Sequence, residues 1–253
     1  MVATPINPYT LSNRAIVLDD SHILMVNLMG DPADVQISAD TYFGPYTSIG
    51  DGPTIDRFVQ ISTDEICGKV FHGAFSEEDS LDPRNPYAAT KAGADLLALS
   101  YHVTHDLPVV VTRSSNNFGP RQHPEKLIPK LISRASQGEP LPIYGDGTNV
   151  REWTYVEDNC RAIALLLDKG PAGEVYNVGS GHELQNIEVA RRIVDSVSAS
   201  EDLIEFVEDR PGHDQRYALE TDKIETLGWE PQWSFDEGLT ETINYYRAQQ
   251  ISS

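Results

Sequence analysis

Apolar residues come in short bursts along most of this chain, and the spacing inside each burst assigns it to a strand or a helix. Phe58-Val59-Gln60-Ile61 is a compact apolar run that ends abruptly in Ser62, Thr63, Asp64 and Glu65, the pattern of a buried strand reaching a polar rim. Asn85-Pro86 then opens a helix, because Asn is a good N-cap and Pro suits the first helical turn. Pro108 to Thr112 is a second apolar strand. Strand, helix, strand is the βαβ unit of a parallel sheet, and ligands of such sheets bind beyond the carboxyl ends of the strands. Thr63, Asp64 and Glu65 lie at such an end.

Farther along, Leu127, Ile128, Leu131, Ile132 and Ala135 have helical spacing within Glu125 to Ser136, with Gly138 as the stop. Leu141 to Tyr144 and Val150 to Tyr155 flank a glycine-containing loop and predict a hairpin. Asp158 to Lys169 predicts a helix ending at Gly170, and Glu174 to Val178 a further sheet strand. Ile187, Ala190, Ile193, Val194 and Val197 form an amphipathic run that Asn186 is placed to cap. Ser234 to Glu237 is a capping box ahead of a closing helix that buries Leu239, Ile243 and Tyr246. Upstream, Ile16 to Leu18 and Ile23 to Met29 read as strands, whereas Gly30 to Asp56 is rich in Gly, Pro, Asp, Ser and Thr without a period and reads as loop.

Composition narrows the function. At 253 residues with 40% apolar content, the chain suits one large domain or a domain with a small lobe. A net charge of −20, from 39 acids against 19 bases, argues against nucleic acid and anionic membrane surfaces as partners. With lysines few beside arginines, this is the surface of a protein solvated for high salt, and any anionic ligand must be held by local Arg and Lys. Cys67 and Cys160 have no metal-ligand spacing, and the seven histidines form no zinc pattern, so neither a disulfide framework nor a metal is expected. No apolar run approaches the roughly 18 residues of a membrane span. The N-terminus lacks a basic region followed by an apolar core, so the expected location is cytoplasmic.

The candidate chemistry sits between the first strand and its helix. Tyr87 and Lys91 stand four apart and share one helix face. A phenol is a poor base at neutral pH, and a nearby ammonium lowers its pKa by favouring the phenolate. Such a pair suits proton removal from a sugar hydroxyl. Asp64 and Glu65 add two carboxyls that divide into acid and base if their environments differ. Taken singly, Tyr-x-x-x-Lys also describes a surface helix pair, and Asp-Glu a solvated turn. Their combination after a buried strand is far more specific.

STDE, NPYAATK, TRSSNNFGP, EKLIPKLI, LPIYGDGTNVREW, YVED, YNVGSG and DRPGHDQRY follow one another from about Arg57 to Tyr246. In that order they resemble the dTDP-glucose 4,6-dehydratases, a family of extended short-chain dehydrogenases that use NAD. The resemblance implies an α/β fold: a parallel, doubly wound (Rossmann-like) sheet with a small α/β substrate lobe interleaved through residues 58–253. Residues 1–57 do not match, and no G-x-x-G-x-x-G turn is found there, so the sheet is expected to be N-terminally incomplete, through truncation, an unrelated tail or completion by a second chain.

The resemblance also implies roles. Tyr87 takes the 4-hydroxyl proton, Glu65 the C5 proton, and Asp64 protonates the departing C6 hydroxyl, while Thr63 hydrogen-bonds the reacting hydroxyl. Ser62, Tyr87, Lys91 and Asn117 face the cofactor. Asn116, Lys126, Leu127, Pro142, Ile143, Tyr144, Arg151, Asn186, Arg210 and His213 face a nucleotide sugar, dTDP-glucose first, with Arg151 gripping the diphosphate in the paired geometry an Arg fork allows. Without the resemblance, Asn116-Asn117 reads as a turn before Phe118-Gly119-Pro120. Cys67 stands where the family usually has a tyrosine, and reads as a small buried apolar residue. A homodimer is implied if the fold is complete. Two other functions stay open: a non-catalytic truncated homologue that binds a nucleotide sugar or a full-length partner, and an NAD-dependent nucleotide-sugar epimerase. Epimerases of the superfamily usually lack the acid pair.

Overall fold

The computed structural model describes residues 16–18, 23–25, 57–70, 72–209 and 214–251. In chain order its strands are β1 (Ile16–Leu18), β2 (Ile23–Met25), β3 (Phe58–Thr63), β4 (Val109–Ser114), β5 (Asn116–Phe118), β6 (Leu141–Tyr144), β7 (Val150–Tyr155), β8 (Glu174–Val178), β9 (Glu183–Gln185) and β10 (Ile204–Val207). The α-helices are α1 (Pro86–His105), α2 (Leu127–Gln137), α3 (Val156–Lys169), α4 (Asn186–Val197), α5 (Asp222–Glu225) and α6 (Phe235–Ile251).

The main sheet has the order β2-β1-β3-β4-β8. β3 pairs in parallel with β4 from Phe58↔Val109 to Thr63↔Ser114, and β4 pairs in parallel with β8. β1 lies parallel to β3 on its other edge, and β2 runs antiparallel outside β1. Because side chains alternate along a strand, the central strands feed two cores. Val59, Val110, Tyr176 and Val178 pack against Ala162, Ile163 and Leu166 of α3, whereas Val109 and Val111 pack with Ala98 of α1. Helices thus cover both faces, as near-continuous apolar strands of a parallel sheet require.

The second lobe is built from β5-β7-β9, the pair β10-β6, and helices α2, α4 and α6. Its core joins Phe118, Ile128, Leu131, Trp153, Ile193, Phe235 and Leu239. Three expectations change here. β6 and β7 do not form a hairpin: β6 pairs in parallel with β10, and β7 with β5 and β9, so the glycine loop links two sheets. Asn116-Asn117 is not a plain turn but a short strand along β7. Gln185, not Asn186, caps α4, in a capping box with Glu188, leaving Asn186 as the first helical residue. The expected strand of residues 23–29 is described over Ile23–Met25 as β2, and its remainder, like the expected loop of residues 30–56, lies outside the described residues.

Local signals account for the other boundaries. Asn85 Oδ1 accepts the Ala88 N–H at 2.8 Å, capping α1. Ser234 and Glu237 exchange the reciprocal bonds of a capping box at 3.3 and 3.1 Å. Asp158, fully buried at the start of α3, accepts the N–H groups of Gln232 and Trp233 at 3.0 Å each and fixes the approach to α6.

With −20 net charge, self-repulsion opposes the compact state, and salt relieves it by shortening the screening length. The melting temperature measured by circular dichroism is therefore expected to rise on going from about 0.1 M to about 2 M KCl. A flat or falling curve would show that the acidic surface is not what limits stability.

Candidate active site

β3 runs out at the rim into a single 3-10 turn, Asp64–Cys67. Thr63 caps that turn: its Oγ1 accepts the Glu65 N–H at 3.3 Å and donates to Asp64 Oδ1 at 3.2 Å. Gly68 closes it at φ 82°, where a Cβ would come 2.8 Å from Asp82 O, so the position requires glycine. Asp64 is 3% exposed. Burial pushes its carboxyl up to about 8, Glu65 and Glu152 add to the rise, and Arg151 opposes it. Asp64 Oδ2 is buried and accepts no hydrogen bond among the described residues. Glu65 differs: it is half-buried, and its Oε2 accepts from Asn85 Nδ2 at 3.0 Å. Two adjacent carboxyls thus occupy unlike settings, one kept protonated and dry, the other held as a hydrogen-bond acceptor.

α1 brings Tyr87 and Lys91 to the same rim. Lys91 is buried, and its Nζ donates to Ile61 O of β3 at 2.9 Å, which fixes α1 against the strand. Tyr87 lies one turn earlier and is 41% exposed. One turn later, Asp95 is fully buried, pairs with Arg113 of β4 at 3.5 Å, and has Ser62 beside it. Burial raises the Asp95 carboxyl to about 6 against the pull of Ser62 and Arg113. Ser62 therefore faces α1 beneath the rim. Cys67 packs with Ile66 and Ala92, and burial pushes its thiol up to about 11, as a small apolar residue requires.

The lobe contributes the opposite wall. Arg151 is 5% exposed; its guanidinium donates to Val150 O at 2.7 Å and Asp214 O at 2.9 Å and lies 4.6 Å over the Tyr217 ring. Tyr217 donates to Asp214 Oδ2 at 2.7 Å, and its phenol is held well above its usual range by burial and by that bond. Asn116 Oδ1, Asn117 Oδ1 and Asn186 Oδ1 are buried without a partner among the described residues. Buried acceptors are seldom orphaned, and these three belong to residues that the resemblance assigns to ligand contact. Lys126 is exposed at the start of α2, with Leu127 half-buried behind it. Along β6 the period of two puts Pro142 and Tyr144 outward, while the Ile143 side chain turns into the lobe core, 1% exposed. Ile143 thus presents backbone rather than side chain outward. Arg210 and His213 lie outside the described residues.

Several residues near the rim carry little sequence signal. Glu152 on β7 is 2% exposed and accepts the N–H of Gly181 at 2.8 Å and of Leu219 at 3.3 Å. A Cβ on Gly179 would overlap it, so the glycine pair after β8 is the sequence trace of this buried acid. Asn85 reads from sequence as a cap alone, and its bond to Glu65 needs the fold. Among the described residues, no group of three His, Cys, Asp or Glu could hold a metal, and no helix is long and apolar enough to cross a membrane.

The profile of a family described as GDP-mannose 4,6 dehydratase matches residues 51–242. The low-salt glycan biosynthesis protein Agl12 of Haloferax volcanii is 64% identical over 192 residues, which is 76% of this chain and 62% of that protein. The dTDP-glucose 4,6-dehydratase of Streptomyces niveus is 53% identical over 194 residues, 76% of this chain and 58% of that protein. The crystal structure of DesIV, the dTDP-glucose 4,6-dehydratase of Streptomyces venezuelae with NAD and TYD bound, superposes with a TM-score of 0.77 at 48% identity, over 78% of this chain and 62% of that one. The chain spans about three-fifths of the length of these relatives (62% and 58% of the two curated proteins). The match runs through the rim, α1 and the lobe, and the chain belongs to the GDP-mannose 4,6-dehydratase family.

Proposed function

We propose that this chain carries the catalytic wall of a nucleotide-sugar 4,6-dehydratase that turns dTDP-glucose into dTDP-4-keto-6-deoxyglucose. The carrying observation is the split environment of one carboxyl pair. Asp64 keeps its proton at neutral pH, and its neighbour Glu65 is held as an acceptor by Asn85. A dehydration needs that division, since one group must remove a proton while the other donates one.

The orphaned acceptors Asn117 Oδ1 and Asn116 Oδ1 fit ligand groups that donate hydrogen bonds, and Lys91 is already fixed beneath Tyr87, so the described residues suit the nicotinamide side of NAD. Bound NAD supplies the acceptor for a hydride from sugar C4 and the donor for its return to C6. Tyr87 takes the 4-hydroxyl proton, and the nearby Lys91 ammonium stabilises the phenolate that accepts it. With C4 as a ketone, Glu65 removes the C5 proton and gives it back to C5 when the hydride reaches C6. Asp64 gives its proton to the C6 hydroxyl, which leaves as water. Thr63 orients Asp64 through its hydroxyl. Asn116, Asn186 and the Pro142–Tyr144 edge hold the nucleotide sugar, and Arg151 faces its diphosphate from the lobe. An epimerase has no use for a protonated acid beside a second carboxyl, so Asp64-Glu65 favours dehydration. A purely binding role remains the outcome if NAD is absent.

The same reading covers assembly and setting. α1 exposes Leu96, Leu97, Tyr101 and Val103, and its two charged residues, Lys91 and Asp95, are both buried. An uncharged helix surface on a chain of −20 net charge fits burial against a second copy. The acidic surface fits work in a salt-rich cytoplasm.

Protein purified in high salt and then denatured should release NAD at about one per chain by mass spectrometry, and Tyr87→Phe should lower turnover by about 100-fold or more while leaving that content unchanged. NAD absent, or a Tyr87→Phe enzyme at the wild-type rate, would remove the catalytic reading. Asp64 gives a pH signature with a definite sign. Its folded value of about 8 against an ordinary 3.8 means the folded state holds a proton that the unfolded chain releases first. Stability should fall as pH rises through that window, turnover should decline above its upper end, and Asp64→Asn should abolish turnover and flatten the stability slope in urea titrations at several pH values. Light scattering should report a dimer that Leu97→Glu converts to monomer without changing the circular dichroism spectrum.

A further inference from the structure

Tyr87 and Lys91 ride on α1, whereas Asp64 and Glu65 stand on the turn after β3. A reaction that uses all four needs a fixed relation between those two elements. We propose that Asn85 supplies it, as a positioning residue that locks the Glu65 carboxylate to the N-terminus of the Tyr87–Lys91 helix. This deepens the dehydratase reading and rests on it.

The geometry is two bonds from one side chain. Asn85 Oδ1 accepts the Ala88 N–H at 2.8 Å, and Asn85 Nδ2 donates to Glu65 Oε2 at 3.0 Å. The amide orientation is fixed by chemistry, since a backbone N–H demands the oxygen and a carboxylate demands the nitrogen. Any movement of α1 along its axis therefore drags Glu65 with it. The backbone is also tied, because Ala89 N–H donates to Asn85 O at 3.0 Å.

A cap alone does not need asparagine. Ser or Asp caps a helix as well, and neither can do both jobs here. Ser keeps the cap and is too short to reach Glu65. Asp keeps the cap and sets a second carboxyl against Glu65. Amide geometry alone satisfies an N–H donor and a carboxylate acceptor at once. The charged and titratable neighbours do not replace it. Arg84 is committed to Asp214 at 3.1 Å and Asp82 at 3.7 Å, Asp64 is buried beside Thr63, and the Tyr217 hydroxyl donates to Asp214.

Two variants that preserve the cap test the assignment. Asn85→Ser should lower kcat about tenfold with KM nearly unchanged, because the base is present but loosely aimed, and should keep the wild-type melting temperature. Asn85→Asp should show, by carboxyl carbon-13 NMR, a new carboxyl that titrates in two coupled steps, collapsing to one step when Glu65→Gln is added. That second measurement needs no turnover. A single-step titration indifferent to Glu65→Gln overturns the inference, as does an Asn85→Ser enzyme with wild-type kcat. Tyr87→Phe, run in parallel, separates the two levels. If it too turns over normally, the catalytic reading fails; if it is impaired while Asn85→Ser is not, only the role of Asn85 fails.

Discussion

The six-residue parallel register between Phe58–Thr63 and Val109–Ser114 positions everything else at the rim. Paired end to end, the two strands stop together, and the chain must turn at Asp64 on one and at Ser115 on the other. Alternation then sends Gln60, Ser62 and Arg113 toward α1 and Val59, Val110 and Ser114 toward α3. A slip of one residue would reverse those faces, bring Arg113 under α3, and strip Asp95 of its partner. An unpaired buried carboxylate there would cost several kcal/mol, of order 3 to 5 by analogy with other buried pairs. Register, buried polar pairing and site geometry are therefore one constraint.

Charge is divided by depth. The net charge of −20 is carried mostly by exposed acids, whereas Lys91, Arg113 and Arg151 are buried next to the rim, each engaged by a carbonyl or carboxylate. At molar salt the screening length shrinks to about 3 Å, which quiets the surface and leaves buried contacts nearly untouched. The field that would repel an anionic ligand is thus screened, while the buried cations keep their charge.

How much of this was legible from sequence follows from range. The strands of the main sheet and helices α1, α2, α3 and α6 were readable because their apolar period, caps and stops are local: Asn85-Pro86, Gly138, Gly170 and Ser234-Glu237 lie within a few residues of what they govern. Where a partner strand lies far away, local patterning fails. Leu141–Tyr144 and Val150–Tyr155 look like neighbours across a glycine loop, yet β6 pairs with residues 204–207. Ile143 shows that motif resemblance and strand period answer different questions, one about backbone position and the other about side-chain direction. Glu152, Asp95 and the second bond of Asn85 stayed hidden because nothing in a strand or helix pattern marks an acid whose partners are backbone N–H groups or side chains of other elements.

The aromatic cluster of the lobe carries a consequence for biosynthesis. Phe118 stacks at 5.0 Å from Phe235, and Tyr155 at 4.6 Å from Trp233, so residues far apart in the chain complete one core. Contacts of such long range close slowly and only after the intervening chain exists. While the ribosome is still adding residues before Trp233, α2 and α4 have apolar faces with no third helix to cover them. The nascent lobe is then sticky for the time needed to make α6, and a chaperone that shields apolar surface would find its main client interval there.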